Sequence, residues 1–199
     1  MTILMVRHGE TAGNAARVVQ RPEVPLNERG IRQAAQLAER LCAMGFAHVL
    51  CSDLRRARMT AEPLRARAGV VIEETPLLQE RNFGDLRGTP YSELTEDPFA
   101  PAYVPPNGES VDVFHRRVAQ AFALIAERRR GLSGPLVVVT HGLVCHAILE
   151  NHTSAAAMPD HFANAGLTLL DPAPPFTVRL ANCTQHLVED PGPQLPGRV

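Results

Sequence analysis

The residues best suited to chemistry stand near the start of the chain, where the apolar run of residues 3–6 ends in Arg7-His8-Gly9. Such a run is typical of a buried strand, and open α/β sheets bind ligands at the carboxyl ends of their strands. An imidazole can act as a nucleophile, and a guanidinium can hold a phosphate through two parallel hydrogen bonds. A glycine lets a ligand approach the backbone closely. The tripeptide alone is a weak signal, so the rest of the chain must supply the context.

Two later apolar runs end in the same way. Residues 48–51 precede a helix that begins at Arg55, and residues 136–139 precede His141. The carboxyl ends of parallel strands share one edge of a sheet, so we expect both side chains to meet the first motif there. Two guanidiniums and two imidazoles suit a phosphoryl dianion, whose oxygens are stabilised by preorganised donors.

A carboxylate is available from the loop of residues 75–88. Glu80 is the preferred candidate, although Glu74 and Asp85 lie close to it in sequence. A carboxylic acid placed beside a leaving oxygen typically accelerates a reaction by about 10²–10⁴-fold.

The elements that position these groups are predicted from periodicity and caps. Residues 28–44 should form a helix capped by Asn27, and residues 111–130 a helix capped by Ser110. Pro63 should kink or split the helix that begins at Arg55. Further helices are predicted at residues 91–96, 143–151 and 156–164, and further strands at 70–72, 167–170 and 177–181.

The alternation of strands and helices predicts an α/β fold, a three-layer α/β/α sandwich around a mainly parallel sheet. We expect one domain over residues 1–188 and a disordered tail over residues 189–199, which is rich in proline and glycine. Residues 98–107 carry four prolines and should be irregular.

Composition narrows the classes of function. All 20 basic residues are arginine, which excludes a lysine Schiff base, and the net charge of −1 argues against nucleic acid or an anionic membrane as partner. The four cysteines form no metal-binding or disulfide pattern, and no apolar run is long enough to span a membrane. A reduced, cytoplasmic protein is expected.

Five motifs in order carry a resemblance that covers about three quarters of the chain. They are Arg7-His8-Gly9-Glu10-Thr11 with Asn14, Ser52-Asp53-Leu54-Arg55-Arg56-Ala57, Glu80 ahead of Gly84 and Gly88, Gly108-Glu109-Ser110, and Thr140-His141-Gly142. In these motifs the chain resembles the histidine phosphatase superfamily, in its phosphoglycerate-mutase-like branch, and the same fold is implied.

The resemblance implies roles at the matching positions. His8 would be the nucleophile that accepts the phosphoryl group, and Glu80 would protonate the leaving oxygen and then activate water. Phosphate oxygens would be held by Arg7, Arg55, His141 and Asn14. Further candidates for substrate contacts are Gln20, Arg21, Arg81 and Gly142. No metal or other cofactor is expected.

The implied activity is that of a metal-independent phosphomonoesterase that acts on a small phosphorylated substrate through a phosphohistidine. Only about 20 residues separate Gly88 from Ser110, where the mutases of the family carry longer insertions. A 2,3-bisphosphoglycerate-dependent mutase and a non-catalytic phosphoryl-binding module are the alternatives, and a homodimer stays open. Arg21 stands where many relatives have glycine, so the substrate preference of relatives is in doubt here.

Overall fold

A computed structural model describes residues 2–155 and 158–187. Its strands are β1 (Ile3–Arg7), β2 (His48–Ser52), β3 (Ile72–Thr75), β4 (Leu136–Thr140), β5 (Leu167–Leu170) and β6 (Val178–Cys183). Its α-helices are α1 (Ala12–Ala15), α2 (Glu28–Met44), α3 (Arg55–Ala68), α4 (Val111–Arg130) and α5 (Gly142–His152). Single 3₁₀ turns cover Pro76–Leu78, Gly84–Leu86 and Tyr91–Glu93.

The strands form one sheet in the order β3-β2-β4-β1-β5-β6. The first four strands of that order are mutually parallel, while β5 runs antiparallel to both of its neighbours. Parallel pairing requires crossover connections, and the helices supply them. The predicted α/β class with a mainly parallel central sheet is confirmed.

The two faces of the sheet have separate apolar cores, as the alternation of side chains along a strand requires. In β1, Ile3 and Met5 pack with α4 and α5, whereas Leu4 and Val6 pack with α2 and α3. Every residue of β1 and β4 is buried, because helices cover both faces. This arrangement confirms the three layers.

Helix caps stand where the sequence predicted them. Asn27 accepts a hydrogen bond from the Gly30 N–H at the start of α2, and Ser110 accepts one from the Val113 N–H at the start of α4. Both helices have the predicted bounds. Gly45 follows α2 with a positive φ of 71°, a conformation that favours glycine.

Some predicted elements differ from the structure. The helix α3 continues through Pro63 without a break, the third strand begins at Ile72 rather than residue 70, and the helix predicted for residues 91–96 is a single 3₁₀ turn.

Of the predicted helix 156–164, residues 156 and 157 lie outside the described residues, and residues 158–164 form no helix. The backbone N–H of Ala163 instead donates to the Asn182 side chain. The predicted tail also lies outside the described residues.

Two glycines bring the start of α2 against the loop that follows β1. A Cβ on Gly9 would lie 2.6 Å from the Gly30 carbonyl oxygen, and a Cβ on Gly30 would overlap the Glu10 carbonyl oxygen. The backbones touch directly, so this contact determines how closely α2 approaches the residues after the first strand.

We predict that Gly30→Ala destabilises the protein by about 1–3 kcal/mol, because the added methyl group must push two backbones apart. In an ordinary helix the same change is favourable. Gly131→Ala is the matched control, because a Cβ there has only one neighbouring atom, at 3.8 Å, and φ is −83°. Urea unfolding measures both variants, and equal stability of the two would contradict the prediction.

Candidate active site

The register of the sheet brings the reactive strand ends together. Arg7, the last residue of β1, pairs with Thr140, the last residue of β4. The next residue on each chain segment is a histidine, and the ring centroids of His8 and His141 are 5.1 Å apart. The predicted convergence of these residues at one sheet edge is therefore present.

His8 is held in one tautomer by its own loop. Its Nδ1 lies 2.7 Å from the Gly9 carbonyl oxygen, which can only accept, so Nδ1 carries the proton and Nε2 has a free lone pair. Burial, with further contributions from the Arg56 and Arg7 cations, holds the pKa of His8 well below its ordinary value. A neutral imidazole with an exposed ring lone pair is the form that a nucleophile needs.

The backbone around His8 is braced from a segment that the sequence did not single out. The Ala165 N–H donates to the carbonyl oxygens of Arg7 and His8, both at 3.1 Å. The Asn164 side chain donates to the His8 carbonyl oxygen at 3.1 Å and to Asn14 Oδ1 at 3.2 Å. Ala165 has a positive φ of 56°, and this left-handed conformation directs its N–H toward the two carbonyl oxygens.

Two buried guanidiniums face the same cavity as His8. Arg7 donates to the Phe162 carbonyl oxygen, and Arg56 donates to the Arg21 carbonyl oxygen at 3.2 Å. Burial lowers the pKa of Arg56 to about 10. The Nε atoms of both guanidiniums and Nδ1 of His141 are buried with no hydrogen-bond partner among the described residues. Buried donors without partners are costly, so this group is suited to an anion.

Arg56, and not Arg55, supplies the cation from α3, which corrects the prediction. Arg56 is only 2% exposed and lines the cavity, whereas Arg55 is exposed and lies outside it. Adjacent helical residues point about 100° apart, so only one of the two can face the sheet edge. Arg56 shares the buried face of α3 with Ala57, Thr60, Ala61 and Leu64. That stripe was readable in the sequence and would have identified Arg56.

Glu80 lines the cavity opposite these cations. Its Oε1 accepts the Arg81 N–H at 3.0 Å, and its Oε2 accepts the Leu143 N–H at 3.2 Å, at the start of α5. Burial raises the pKa of the Glu80 carboxyl, and the two N–H donors oppose that rise. The alternatives lie elsewhere, because Glu74 pairs with Arg58 on the surface and Asp85 is exposed.

His141 is oriented through its other nitrogen. Its Nε2 lies 2.8 Å from Ser52 Oγ, at the end of β2, and the same oxygen accepts the Leu54 N–H at 3.3 Å. The ring is fully buried, and burial holds the pKa of His141 well below its ordinary value. Nδ1 is then the nitrogen left to donate to a ligand.

The comparison with known proteins decides the family. The model of the histidine phosphatase superfamily (branch 1) matches residues 3–182. The chain belongs to this superfamily. Phosphoglycerate mutase-like protein 4 of Arabidopsis thaliana is 33% identical over 94% of this chain and 87% of its own length.

Solved structures agree with the fold. The α-ribazole phosphatase of Shigella flexneri has a TM-score of 0.79 and 26% identity over 92% of this chain and 96% of its own. A mycobacterial glucosyl-3-phosphoglycerate phosphatase in complex with VO3 has a TM-score of 0.78 and 26% identity, over 92% of this chain and 99% of its own. The solved structures to which this chain is similar thus include proteins named as phosphatases.

Four further predicted contact residues of this superfamily member have different surroundings. Gln20 lines the cavity and bonds Thr11 Oγ1 through its Oε1, and Gly142 is the buried first residue of α5. Asn14 is not among the residues that line the cavity, and its Oδ1 accepts hydrogen bonds from the Thr11 N–H and from Asn164 Nδ2. The Arg21 side chain is exposed and lies against Gly88, with its Nε 3.0 Å from the position that a Cβ there would take.

Arg81 lines the cavity, and all three of its guanidinium nitrogens are bonded to backbone carbonyl oxygens. Its Nε, Nη1 and Nη2 donate to the carbonyl oxygens of Glu109, Pro98 and Tyr103 at 3.1, 3.0 and 2.9 Å. The guanidinium thereby ties down the proline-rich segment of residues 98–107. That segment is irregular, as predicted, and Arg81 is the anchor that holds it beside the cavity.

Part of the cavity wall is aromatic. Phe83 and Tyr91 line it, and the Phe99 ring packs behind both, with ring centroids 5.8 and 6.0 Å away. The space between the residues that line the cavity, including its open mouth, is about 440 Å³. Within the described part of the chain, no three His, Cys, Asp or Glu side chains are grouped to hold a metal ion. No helix there is long and apolar enough to cross a bilayer.

We predict that Arg56→Ala lowers kcat/KM for a phosphate ester by about 10²–10³-fold, the usual cost of removing one donor to a developing anion. Arg55→Ala removes the same side chain from the exposed position next to it and should stay near the parent value. Steady-state kinetics on p-nitrophenyl phosphate compares the two, and thermal unfolding checks that both are folded. Equal losses in the two variants would contradict the assignment of this role to Arg56. A larger loss for Arg55→Ala would assign the role to Arg55.

Proposed function

We propose that this histidine phosphatase is a phosphomonoesterase that hydrolyses a small phosphorylated substrate through a phosphohistidine on His8. The observation that carries the proposal is the hydrogen bond from His8 Nδ1 to the Gly9 carbonyl oxygen, 2.7 Å long, which leaves Nε2 unprotonated beside unsatisfied cationic donors. Phosphate monoesters hydrolyse very slowly without catalysis, and a covalent intermediate divides that barrier into two steps.

In the first step His8 Nε2 attacks phosphorus and the bond to the ester oxygen breaks. The protonated Glu80 carboxyl gives its proton to the departing oxygen, and Arg7, Arg56 and His141 hold the phosphoryl oxygens. In the second step the Glu80 carboxylate takes a proton from water, which attacks phosphorus as the phosphorus–nitrogen bond breaks. Inorganic phosphate leaves, and His8 and Glu80 return to their starting protonation states.

The cavity supports this division of roles. Burial raises the pKa of Glu80, which favours the acid form, and lowers that of His8, which favours the free base. Two titratable groups pushed in opposite directions in one cavity are the usual mark of an acid and a nucleophile.

A mutase is the second candidate, because the Arabidopsis relative is named phosphoglycerate mutase-like. The same phosphohistidine could pass its phosphoryl group to an alcohol instead of water. Interconversion of 2- and 3-phosphoglycerate faster than phosphate release, with 2,3-bisphosphoglycerate present, would favour the mutase.

We predict that His8→Ala abolishes turnover and removes an acid-labile phosphoenzyme. Rapid quenching of the parent protein with ³²P-labelled substrate should trap label that is stable to alkali and lost in acid, as expected for phosphohistidine. His146→Ala is the control, because His146 is partly exposed and lies near Glu150 on α5. Retention of turnover in His8→Ala would refute the phosphohistidine route.

We predict that Glu80→Gln lowers kcat/KM for glycerol 3-phosphate by about 10²–10⁴-fold and that for p-nitrophenyl phosphate far less, because only the alkyl ester needs a proton on its leaving oxygen. kcat/KM reports the steps up to cleavage of the ester, so water attack does not enter. The alkyl reaction should slow as pH rises through the raised pKa of Glu80, because the proton donor is lost, and Glu80→Gln should remove that decline. Equal losses on both esters would rule out the acid role.

A further inference from the structure

The guanidinium of Arg117 on α4 connects Glu109 with the segment that carries Glu80. Its Nε and Nη2 donate to the two carboxylate oxygens of Glu109 at 2.8 and 2.7 Å. Its Nη1 donates to the carbonyl oxygens of Leu77 and Gln79 at 2.9 and 2.7 Å, and its Nη2 also donates to that of Glu80 at 3.3 Å. A guanidinium has five N–H donors, and here five acceptors receive them.

The hydrogen bonds of Arg117 form a brace on the backbone before Glu80, and Glu109 extends this brace to the backbone after it. Its Oε2 accepts the Asn82 N–H at 2.8 Å, and its own N–H donates to the Asn82 carbonyl oxygen at 2.8 Å. The side chains of Arg117 and Glu109 are only 18% and 15% exposed, so the ion pair is shielded from solvent. The backbone is thus held before Glu80 by Arg117 and after it by Glu109.

The position of the Glu80 carboxylate depends on the backbone of residues 77–82. Both of its hydrogen bonds within the described residues come from backbone N–H groups, at Arg81 and Leu143. With no side chain bonded to it there, the carboxylate is placed by where its own segment lies relative to α5. A shift of that segment by a fraction of an ångström would move the carboxyl away from the leaving oxygen.

We propose that Arg117 is a positioning residue for proton transfer by Glu80, holding residues 77–82 at the distance from His8 that the leaving oxygen requires. The inference rests on the proposed function, since it assigns Arg117 a share in the acid role of Glu80. Lysine cannot replace it, because a single ammonium has three donors and no planar fork to bridge a carboxylate and several carbonyls.

The test compares Arg117→Lys with the parent protein on the two esters used for Glu80. We expect kcat/KM for glycerol 3-phosphate to fall by about 10–100-fold, the scale of a misplacement of about 1 Å. For p-nitrophenyl phosphate, which leaves without a proton, the fall should stay within about threefold. A loss of folded protein alone would lower both rates by the same factor, so the difference between esters identifies positioning.

A double-mutant cycle connects the effect to Glu80. Once Glu80→Gln has removed the acid, Arg117→Lys should cost little more on the alkyl ester, because coupled residues are not additive. Arg129→Lys is the matched control, since Arg129 is a buried arginine of the same helix whose Nη1 donates to the Leu132 carbonyl oxygen. It should lower stability without separating the two esters.

Equal losses on both esters, or losses that add fully to those of Glu80→Gln, would overturn the proposal while leaving the phosphatase function intact. If Glu80→Gln itself fails to separate the esters, the acid role and this inference fall together. Should Arg117→Lys not fold, Glu109→Gln tests the same brace from its other end, and we expect the same selective loss of the alkyl ester at a smaller size.

Discussion

The site depends on a neutral imidazole kept among buried cations. Each cation disfavours a proton on His8, and the Gly9 carbonyl directs the one remaining ring proton to Nδ1. The free lone pair of His8 Nε2 therefore lies where positive charge is concentrated. Under the proposed function, an arriving phosphoryl dianion would offset the desolvation cost of the guanidiniums and contact His8 Nε2 in the same binding step. The same buried cations therefore keep His8 neutral and favour an anion beside it.

That arrangement persists because rigid elements carry it. His8 and His141 follow buried parallel strands that are paired residue by residue, so their backbones cannot shift independently. Arg56 stands in the first turn of α3, and the Thr60 hydroxyl one turn later accepts the Gly9 N–H at 3.0 Å. Glu80 is the exception, because it lies on a loop. Its segment has to be fixed by hydrogen bonds from α4 and α5, which is where Arg117 and Leu143 act.

The chemistry of the inner cavity and the choice of substrate are separable in this fold. The groups that would hold a phosphoryl unit stand at the strand ends, whereas Phe83 and Tyr91 come from the chain after Glu80 and pack against Phe99 of the proline-rich segment. Changes in that segment can alter what fits beyond the phosphate without touching His8.

The sequence by itself determined most of the helices and strands and which reactive side chains the chain carries. Apolar runs, caps and periodicity predicted α2 and α4 to the residue, and the strand-end motifs predicted His8, Arg7 and His141 at one edge, because these signals are local and the parallel sheet makes edges coincide. Only the tertiary structure decided between Arg55 and Arg56, since a helix's rotation about its axis depends on what it packs against. It also revealed the hydrogen bonds that Asn164 makes to His8 and Arg117 makes to the segment of Glu80, because bonds between residues 37 to 156 positions apart leave no periodic trace in the chain.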